Sequence, residues 1–194
     1  MNTVIRGALT ASEIILSDAE LSARLGCDAR ADDEKIIAVC REIFAVADIK
    51  LAATRLCFDV DEDKISFEGF SVRSRALSAY FGDTRETYLF VLTLGIGVDR
   101  LIMKKRAASI ADGFIFDAVA SAIAEAACDA AEERICGSTK TKKRFSPGYA
   151  DCPLDMQRHV IDALSADKYI GVKLLESSLM SPMKSVSAFL AILP

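Results

Sequence analysis

The order of apolar and polar residues predicts a chain that alternates between strands and helices. Helices are indicated where apolar residues recur at helical spacing, and strands where they alternate or form short buried runs. We predict helices over 33–48, 74–80, 98–108 and 110–135, another starting at about Pro153 or Leu154, and strands over 56–60, 64–69, 87–94, 171–175 and 186–192. Regular βαβ units are missing from this order. The predicted fold class is therefore α+β, with a twisted antiparallel or mixed sheet packed by helices.

Two local patterns refine this picture. Asp61-Glu62-Asp63 joins two predicted strands and indicates a hairpin turn, which we expect to be a solvated acidic tip. The helix over 110–135 is rich in alanine, which allows other elements to approach closely and suits the centre of a domain. Its small residues are Ala118, Ala122, Ala126, Ala127 and Ala130.

Gly95-Ile96-Gly97 follows a predicted strand, as glycines do in dinucleotide-binding loops. The third glycine of that fingerprint would fall at Arg100, so the fingerprint fails. We do not predict a dinucleotide site.

Composition narrows the class of protein. The chain has 194 residues, of which 52% are hydrophobic and 27% charged, and it is most simply one domain over 1–194. Its net charge of −4 and its lack of tryptophan argue against nucleic-acid binding. No run reaches the roughly 18 apolar residues of a membrane span. Met1–Thr10 has no apolar core typical of a signal peptide, so a cytoplasmic protein is expected.

The cysteines give no evidence of a metal site. There are six, with no Cys-x-x-Cys pair and no neighbouring histidine, which is not the spacing of zinc ligands. We expect them to be reduced and mostly buried.

The segment from Arg144 to Pro153, Arg-Phe-Ser-Pro-Gly-Tyr-Ala-Asp-Cys-Pro, carries the candidate chemistry. The planar guanidinium of Arg144 can hold a carboxylate through two hydrogen bonds. Gly148 allows backbone to approach a ligand closely, and Tyr149 can stack or donate. The residues thus suit a small anionic ligand. Taken alone, Pro-Gly-Tyr is also an ordinary turn.

A family resemblance favours the ligand interpretation. The Arg-x-x-x-Gly-Tyr pattern at 144–149, followed by Ala-x-Cys-Pro at 150–153, resembles the S-adenosylmethionine (AdoMet) signature of the activation domain of cobalamin-dependent methionine synthase. A second block, from Gly171 to Pro182 and on to Ser185-Val186-Ser187, is similar to a later run of that family in the same order. The resemblance covers roughly residues 117–194 and implies the helmet-like fold of that domain.

The resemblance also implies a function and a set of site residues. The family's activation domain binds AdoMet so that cob(II)alamin is reductively methylated to methylcobalamin, in support of methionine biosynthesis. Arg144 would pair with the AdoMet carboxylate, and Gly148, the backbone at Phe145 and Tyr149 would form the pocket. Glu125, in Ala124-Glu125-Ala126, matches a glutamate at the family's AdoMet site, and we assign it to that site; the alternative is an ordinary helix-surface residue. Ser185 and Ser187 match serines near the ligand, although hydroxyls that alternate on a strand are often structural.

The resemblance further implies partners. The chain is expected to act as a subunit, with cobalamin carried by a methionine synthase core on a separate polypeptide. Two departures weaken the expected AdoMet site: a later tyrosine and an N-terminal acidic contact of the family could not be placed. Two alternatives stay open, an activator of another corrinoid-dependent methyltransferase and a non-catalytic interaction module that has lost AdoMet binding.

Two further features have a functional and a simpler interpretation. The basic run 140–144 could dock an acidic electron donor such as a flavodoxin or ferredoxin, or could be a solvated loop. His159 is expected on a solvent-facing helix surface with Arg158 and Asp162 rather than as a cobalt ligand or acid–base group.

Overall fold

A six-stranded sheet, all of whose strand pairs are antiparallel, forms the centre of the fold. The structure is a computed structural model, and it describes residues 4–194. Met1–Thr3, part of the stretch considered above for a signal peptide, lie outside the described residues. The strands of the sheet are β1 (Ile5–Ala8), β2 (Lys50–Asp61), β3 (Lys64–Phe67), β4 (Phe70–Arg73), β5 (Glu86–Thr93) and β8 (Ser185–Ala191), and a separate pair is formed by β6 (Lys173–Leu174) and β7 (Met180–Ser181).

Seven α-helices and two short 3-10 helices complete the described part of the chain. The α-helices are α1 (Asp18–Leu25), α2 (Glu34–Val46), α3 (Arg75–Phe81), α4 (Ile96–Ala108), α5 (Ile110–Cys136), α6 (Gln157–Leu164) and α7 (Ala166–Tyr169), and the 3-10 helices are Ala11–Glu13 and Leu154–Met156. The α+β expectation is confirmed. Most predicted elements are confirmed to within two residues, but the strand expected over 56–60 begins at Lys50 and the one expected over 171–175 is only two residues long. The elements β1, α1, β4, α7 and β7 were not predicted.

The sheet order is β4-β3-β2-β5-β8, with β1 also paired to β2. The long strand β2 pairs with β1 over its first part and with β3 over its last part, while β5 covers its other edge. Because side chains alternate across a strand, each face of the sheet builds its own core. Residues such as Phe90 and Leu92 pack with α1, α2, α4 and α5, and Leu89 and Val91 pack with α3 and α6.

Sequence features explain where the main helices begin and pack. The hydroxyls of Ser17, Ser74 and Ser109 accept hydrogen bonds from the first turns of α1, α3 and α5. The alanine-rich α5 is central, as predicted, and its Ala122 and Ala127 are buried. A Cβ atom at Gly97 would lie 2.3 Å from the carbonyl oxygen of Val46. Gly97 thus allows the start of α4 to pack closely against the end of α2.

The acidic turn Asp61-Glu62-Asp63 exposes Asp61 and Glu62 to solvent, as expected, but its backbone also binds a helix, so it is not only a solvated tip. The carbonyl of Asp63 accepts a hydrogen bond from the Ser74 amide at 2.8 Å, and the carbonyl of Glu62 accepts one from the Ser78 hydroxyl at 2.7 Å. These bonds fix the N-terminal half of α3 to the hairpin. The reason is geometric: the turn carbonyls satisfy donors on the neighbouring helix.

The cysteines also differ from expectation. All six are free, but only Cys128 and Cys152 are buried; Cys40 and Cys136 are half-buried, and Cys27 and Cys57 are exposed. Within 4–194 no cluster of residues suited to a metal ion is present. No helix of the same range is both long and apolar enough to cross a membrane.

Candidate functional site

Arg144 lies at the edge of the sheet beside β8. The amide of Phe145 donates to the carbonyl of Phe189 at 3.0 Å, and the amide of Phe189 donates to the carbonyl of Phe145 at 2.8 Å. This short antiparallel pairing makes consecutive side chains point to opposite faces. Arg144 accordingly contacts α5, whereas Phe145 packs against the aromatic core on the other face.

Three carboxylates on α5 bind the Arg144 guanidinium. Its Nη2 donates to Glu125 Oε2 at 2.7 Å, and its Nη1 donates to Asp129 Oδ1 at 2.7 Å and to Glu132 Oε1. The three acids are four and three residues apart, which places them on one face of the helix. The structure therefore brings Glu125 and Arg144 together, two residues that the sequence analysis assigned to one site.

The carboxylates affect the protonation of both sides of this cluster. Burial alone would lower the pKa of Arg144, but the hydrogen bonds that it donates to Asp129, Glu125 and Glu132 outweigh burial and raise that pKa. Burial raises the pKa of Glu132, although its hydrogen bond from Arg144 opposes the shift. The raised pKa of Arg144 favours its charged form, whereas the raised pKa of Glu132 favours a neutral carboxyl group. Burial is the main cause of the upward shift of Glu132, and repulsion by Asp129 and Glu125 adds to it.

Helix α1 adds a second arginine and a fourth carboxylate. Arg24 Nη2 lies 3.2 Å from Glu125 Oε1, and Arg24 Nε lies 2.6 Å from Glu20 Oε1. Two guanidiniums thus face four carboxylates, which leaves the cluster net negative. Sequence reasoning missed Glu20 and Arg24, because Arg24 meets Glu125 only through the tertiary fold. The acidic first turn of α1 was the one available signal.

A cavity opens between α1, α5 and Arg144. Its volume is about 320 Å³. It combines one cation and three acids with small or aliphatic side chains, and its lining residues are Ile15, Ser17, Ala19, Glu20, Ala122, Glu125, Ala126, Asp129 and Arg144. The combination can hold a small zwitterionic or cationic molecule that carries one carboxylate.

Of the signature residues, Arg144 lines this cavity, whereas the turn that follows lies next to the Phe145 ring on the other face of the sheet. The Gly148 amide donates to the Cys152 carbonyl at 3.0 Å, and Gly148 has φ +89°, which favours glycine. The Phe145 ring lies between Tyr80 and Tyr149, with centroid distances of 5.1 and 5.6 Å. Tyr149 is 54% exposed and forms the outer border of the turn.

Ser185 and Ser187 lie apart from the Arg144 cluster. The hydroxyl of Ser185 donates to the Pro182 carbonyl at 2.7 Å and lies 2.8 Å from Thr93 Oγ1, from which it can accept, and Ser187 is 2% exposed. On β8 they alternate with Val186, which packs on the α5 side. The structure therefore places both serines on the opposite face of the sheet and does not bring them to Glu125.

The basic run and the histidine have ordinary structural surroundings. Lys140 and Lys143 are exposed, but Lys142 and Arg144 are hydrogen-bonded within the chain. The run is therefore not the fully solvated loop that the simpler interpretation supposed. His159 is exposed, as predicted, and its ring stacks on Phe70 with a centroid distance of 5.1 Å.

Comparisons with known proteins agree with the resemblance. Residues 77–194 match the family described as the activation domain of vitamin B12 dependent methionine synthase. The chain belongs to this family. A search of curated proteins gives no match. The crystal structure of the MetH reactivation domain bound to AdoHcy is similar with a TM-score of 0.69 and 17% identity, over 97% of this chain and 78% of that one. This similarity confirms the predicted fold of the activation domain.

Proposed function

We propose that this activation-domain protein binds AdoMet in the cavity beside Arg144 and supports reductive methylation of cob(II)alamin to methylcobalamin in a cobalamin-dependent methionine synthase. The observation that carries the proposal is the meeting of Arg144 and Glu125 at a cavity of about 320 Å³ between α1 and α5. Membership of the family and the AdoHcy complex of the similar MetH domain support the choice of ligand.

The charges of AdoMet fit this cavity. AdoMet carries a carboxylate, an ammonium and a positive sulfonium. The carboxylate matches Arg144, and the two cationic groups match the surplus of acids formed by Glu20, Glu125 and Asp129. Ala122 and Ala126 leave space at the wall of α5.

Arg144 has capacity for the ligand despite its three carboxylate partners. A guanidinium has about five N–H donors, and the three hydrogen bonds use three of them. The AdoMet carboxylate would take the remaining donors or displace Asp129, whose side chain is 70% exposed. Glu125 would then receive the ammonium.

The other residues of the signature would shape the rim. Gly148 and the backbone at Phe145 would contact AdoMet directly, and Tyr149 would border the pocket. A contact to Ser185 or Ser187 stays a prediction, because a ligand at Arg144 would have to pass around the edge of β8 to reach them.

The role of the chain is to hold and orient AdoMet. Bound AdoMet would supply a methyl group from its sulfonium to the cobalt of a cobalamin-binding partner after one-electron reduction by a donor such as a flavodoxin or ferredoxin, leaving S-adenosylhomocysteine. Arg144 and the α5 carboxylates would fix the amino-acid end of AdoMet, so that the sulfonium stays in place for the partner.

Calorimetric titration of AdoMet tests the proposal. We expect binding to the parent protein and a loss of at least about tenfold in Arg144→Ala, because a charge-assisted hydrogen bond contributes about 1.5–3 kcal/mol. Arg55→Ala is the matched control: Arg55 pairs with Glu86 at 2.5 Å outside the cavity, and its loss should leave AdoMet binding unchanged. Titrations with a cobalamin-loaded methionine synthase core would show whether the partner strengthens binding.

One observation favours a second candidate. The three carboxylates on Arg144 could mark an interaction module that has exchanged its ligand for internal ion pairs. Absence of AdoMet binding with and without the core would support this module and contradict the proposal. Binding that is strengthened only by a different corrinoid protein would instead identify an activator of another methyltransferase.

A further inference from the structure

The segment from Lys142 to Asp151, which contains the signature residues, lies along helix α3. At the C-terminal end of α3, Lys142 Nζ donates to the carbonyl of Tyr80 at 2.6 Å and to that of Phe81 at 3.4 Å. These carbonyls belong to the last turn, where a helix has acceptors without intrahelical partners. A lysine at this end also has the charge that the helix dipole favours.

At the N-terminal end of α3, Asp151 accepts three hydrogen bonds. Its Oδ1 accepts from the Ser74 hydroxyl at 2.7 Å and the Ala76 amide at 3.0 Å, and its Oδ2 accepts from the Arg75 amide at 2.8 Å. Hydrogen bonds from Ser74, Ala76 and Arg75 lower the pKa of Asp151. An acid at this end again matches the helix dipole.

Helix α3 is itself fixed to the sheet. The Tyr80 hydroxyl donates to the Phe189 carbonyl at 3.2 Å and accepts from the Ala191 amide at 2.9 Å. The Ser78 hydroxyl is bonded to the β2–β3 turn. A segment attached to both ends of α3 is therefore attached to the sheet, because α3 is hydrogen-bonded to β8 through Tyr80.

We infer that Lys142 and Asp151 are positioning residues for the proposed AdoMet site, and that together they hold the signature segment against the two ends of α3. We call these two attachments the clasp. Arg144 and Gly148 lie between the two attachment points. The inference rests on the proposed function. It assigns a role to Asp151, which stands at the variable position of Ala-x-Cys-Pro, and to Lys142, which the sequence suggested only as part of a basic run.

Amide hydrogen exchange tests the clasp without any ligand. In Asp151→Ala we expect at least about tenfold faster exchange at Gly148 and Cys152, whose amides close the signature turn, and little change at the buried β5 amide of Phe90. Lys142→Met should accelerate the Phe145 amide in the same way. Lys143→Met and Asp155→Ala are matched controls, because both parent side chains are exposed neighbours outside the clasp, and they should leave these amides unchanged.

AdoMet titration then tests the positioning role. We expect each single variant to weaken AdoMet binding by about five- to tenfold, and the Lys142→Met/Asp151→Ala double variant to lose less than the sum of the single losses, because either break frees the same segment. Asp151→Asn, which keeps one side-chain acceptor, should restore part of the affinity.

The outcomes distinguish the role of the clasp from AdoMet binding itself. Faster exchange of the signature amides with weaker AdoMet binding supports the inference. Unchanged exchange in both single variants overturns it, whatever the affinity. Equal acceleration at Phe90 would also overturn it, because it would indicate global destabilisation. If the parent protein does not bind AdoMet, the proposed function fails, while locally faster exchange would still support the mechanical attachment of the segment to α3.

Discussion

Arg144 and Phe145 are neighbours in sequence but lie in opposite environments. Arg144 contacts three carboxylates on α5, next to a cavity and solvent. Phe145 packs between Tyr80 and Tyr149 and belongs to the core that contains Phe189. The alternation of an extended segment makes this possible, because each step along it changes the face of the sheet.

The comparison teaches how one segment can be both anchored and available to a ligand. On the aromatic side, burial of large rings contributes stability to the fold. On the charged side, desolvation of several carboxylates offsets much of their attraction to Arg144. We therefore expect the fold to depend on the aromatic side and ligand recognition to depend on the charged side.

Truncation on the aromatic side should give the largest loss of stability. Phe189 is fully buried, and its ring centroid lies 5.7 Å from that of Phe67 and 5.9 Å from that of Phe81. Phe189→Ala should lower the free energy of unfolding by about 3–5 kcal/mol, because it removes the ring and leaves a cavity. Urea denaturation followed by circular dichroism measures this change.

Phe114→Ala is the matched control for this variant. Phe114 is 54% exposed, so its truncation should change the free energy of unfolding by only about 0.5 kcal/mol. Similar losses in the two variants would contradict the assignment of the fold's stability to the aromatic side.

The two sides also differ in how far sequence could predict them. The strand 87–94, a continuous apolar run, was confirmed as β5 within one residue, because such a run is typical of a buried central strand. The first half of β2, residues 50–55, was missed since its two alanines have weak strand propensity; pairing with β1 and β5 makes it a strand. The bonds between Arg24 and Glu125, or Asp151 and Ser74, join distant positions and leave no local pattern.

Within the charged side, Glu132 should make stability depend on pH. Burial raises its folded-state pKa above the usual 4.5, so the folded protein holds this proton more tightly than the unfolded chain. The stability that this tighter proton binding contributes is fully present below the pKa of Glu132 in the unfolded chain, and it is lost as pH rises through the pKa in the folded protein. Glu132→Gln, which stays neutral, should therefore gain stability relative to the parent as pH rises from 4.5 towards neutrality, by less than about 1 kcal/mol because solvent screens the group.

Thermal unfolding of both proteins across that pH range checks the sign. If the stability of Glu132→Gln relative to the parent protein falls as pH rises, the attraction of Glu132 to Arg144 exceeds the cost of burying the charged carboxylate. The ion pair between Arg144 and Glu132 would then stabilise the fold, contrary to our expectation for the charged side.

The smallest effect is expected at the most exposed acid of the cluster. The Asp129 side chain is 70% exposed, although its Oδ1 lies 2.7 Å from Arg144 Nη1. Solvent weakens such a pair, and Arg144 keeps Glu125 and Glu132, so Asp129→Asn should change the free energy of unfolding by no more than about 0.5 kcal/mol. Urea denaturation at low and high salt measures the change. A loss as large as that of Phe189→Ala would show that the charged side, too, holds the fold together.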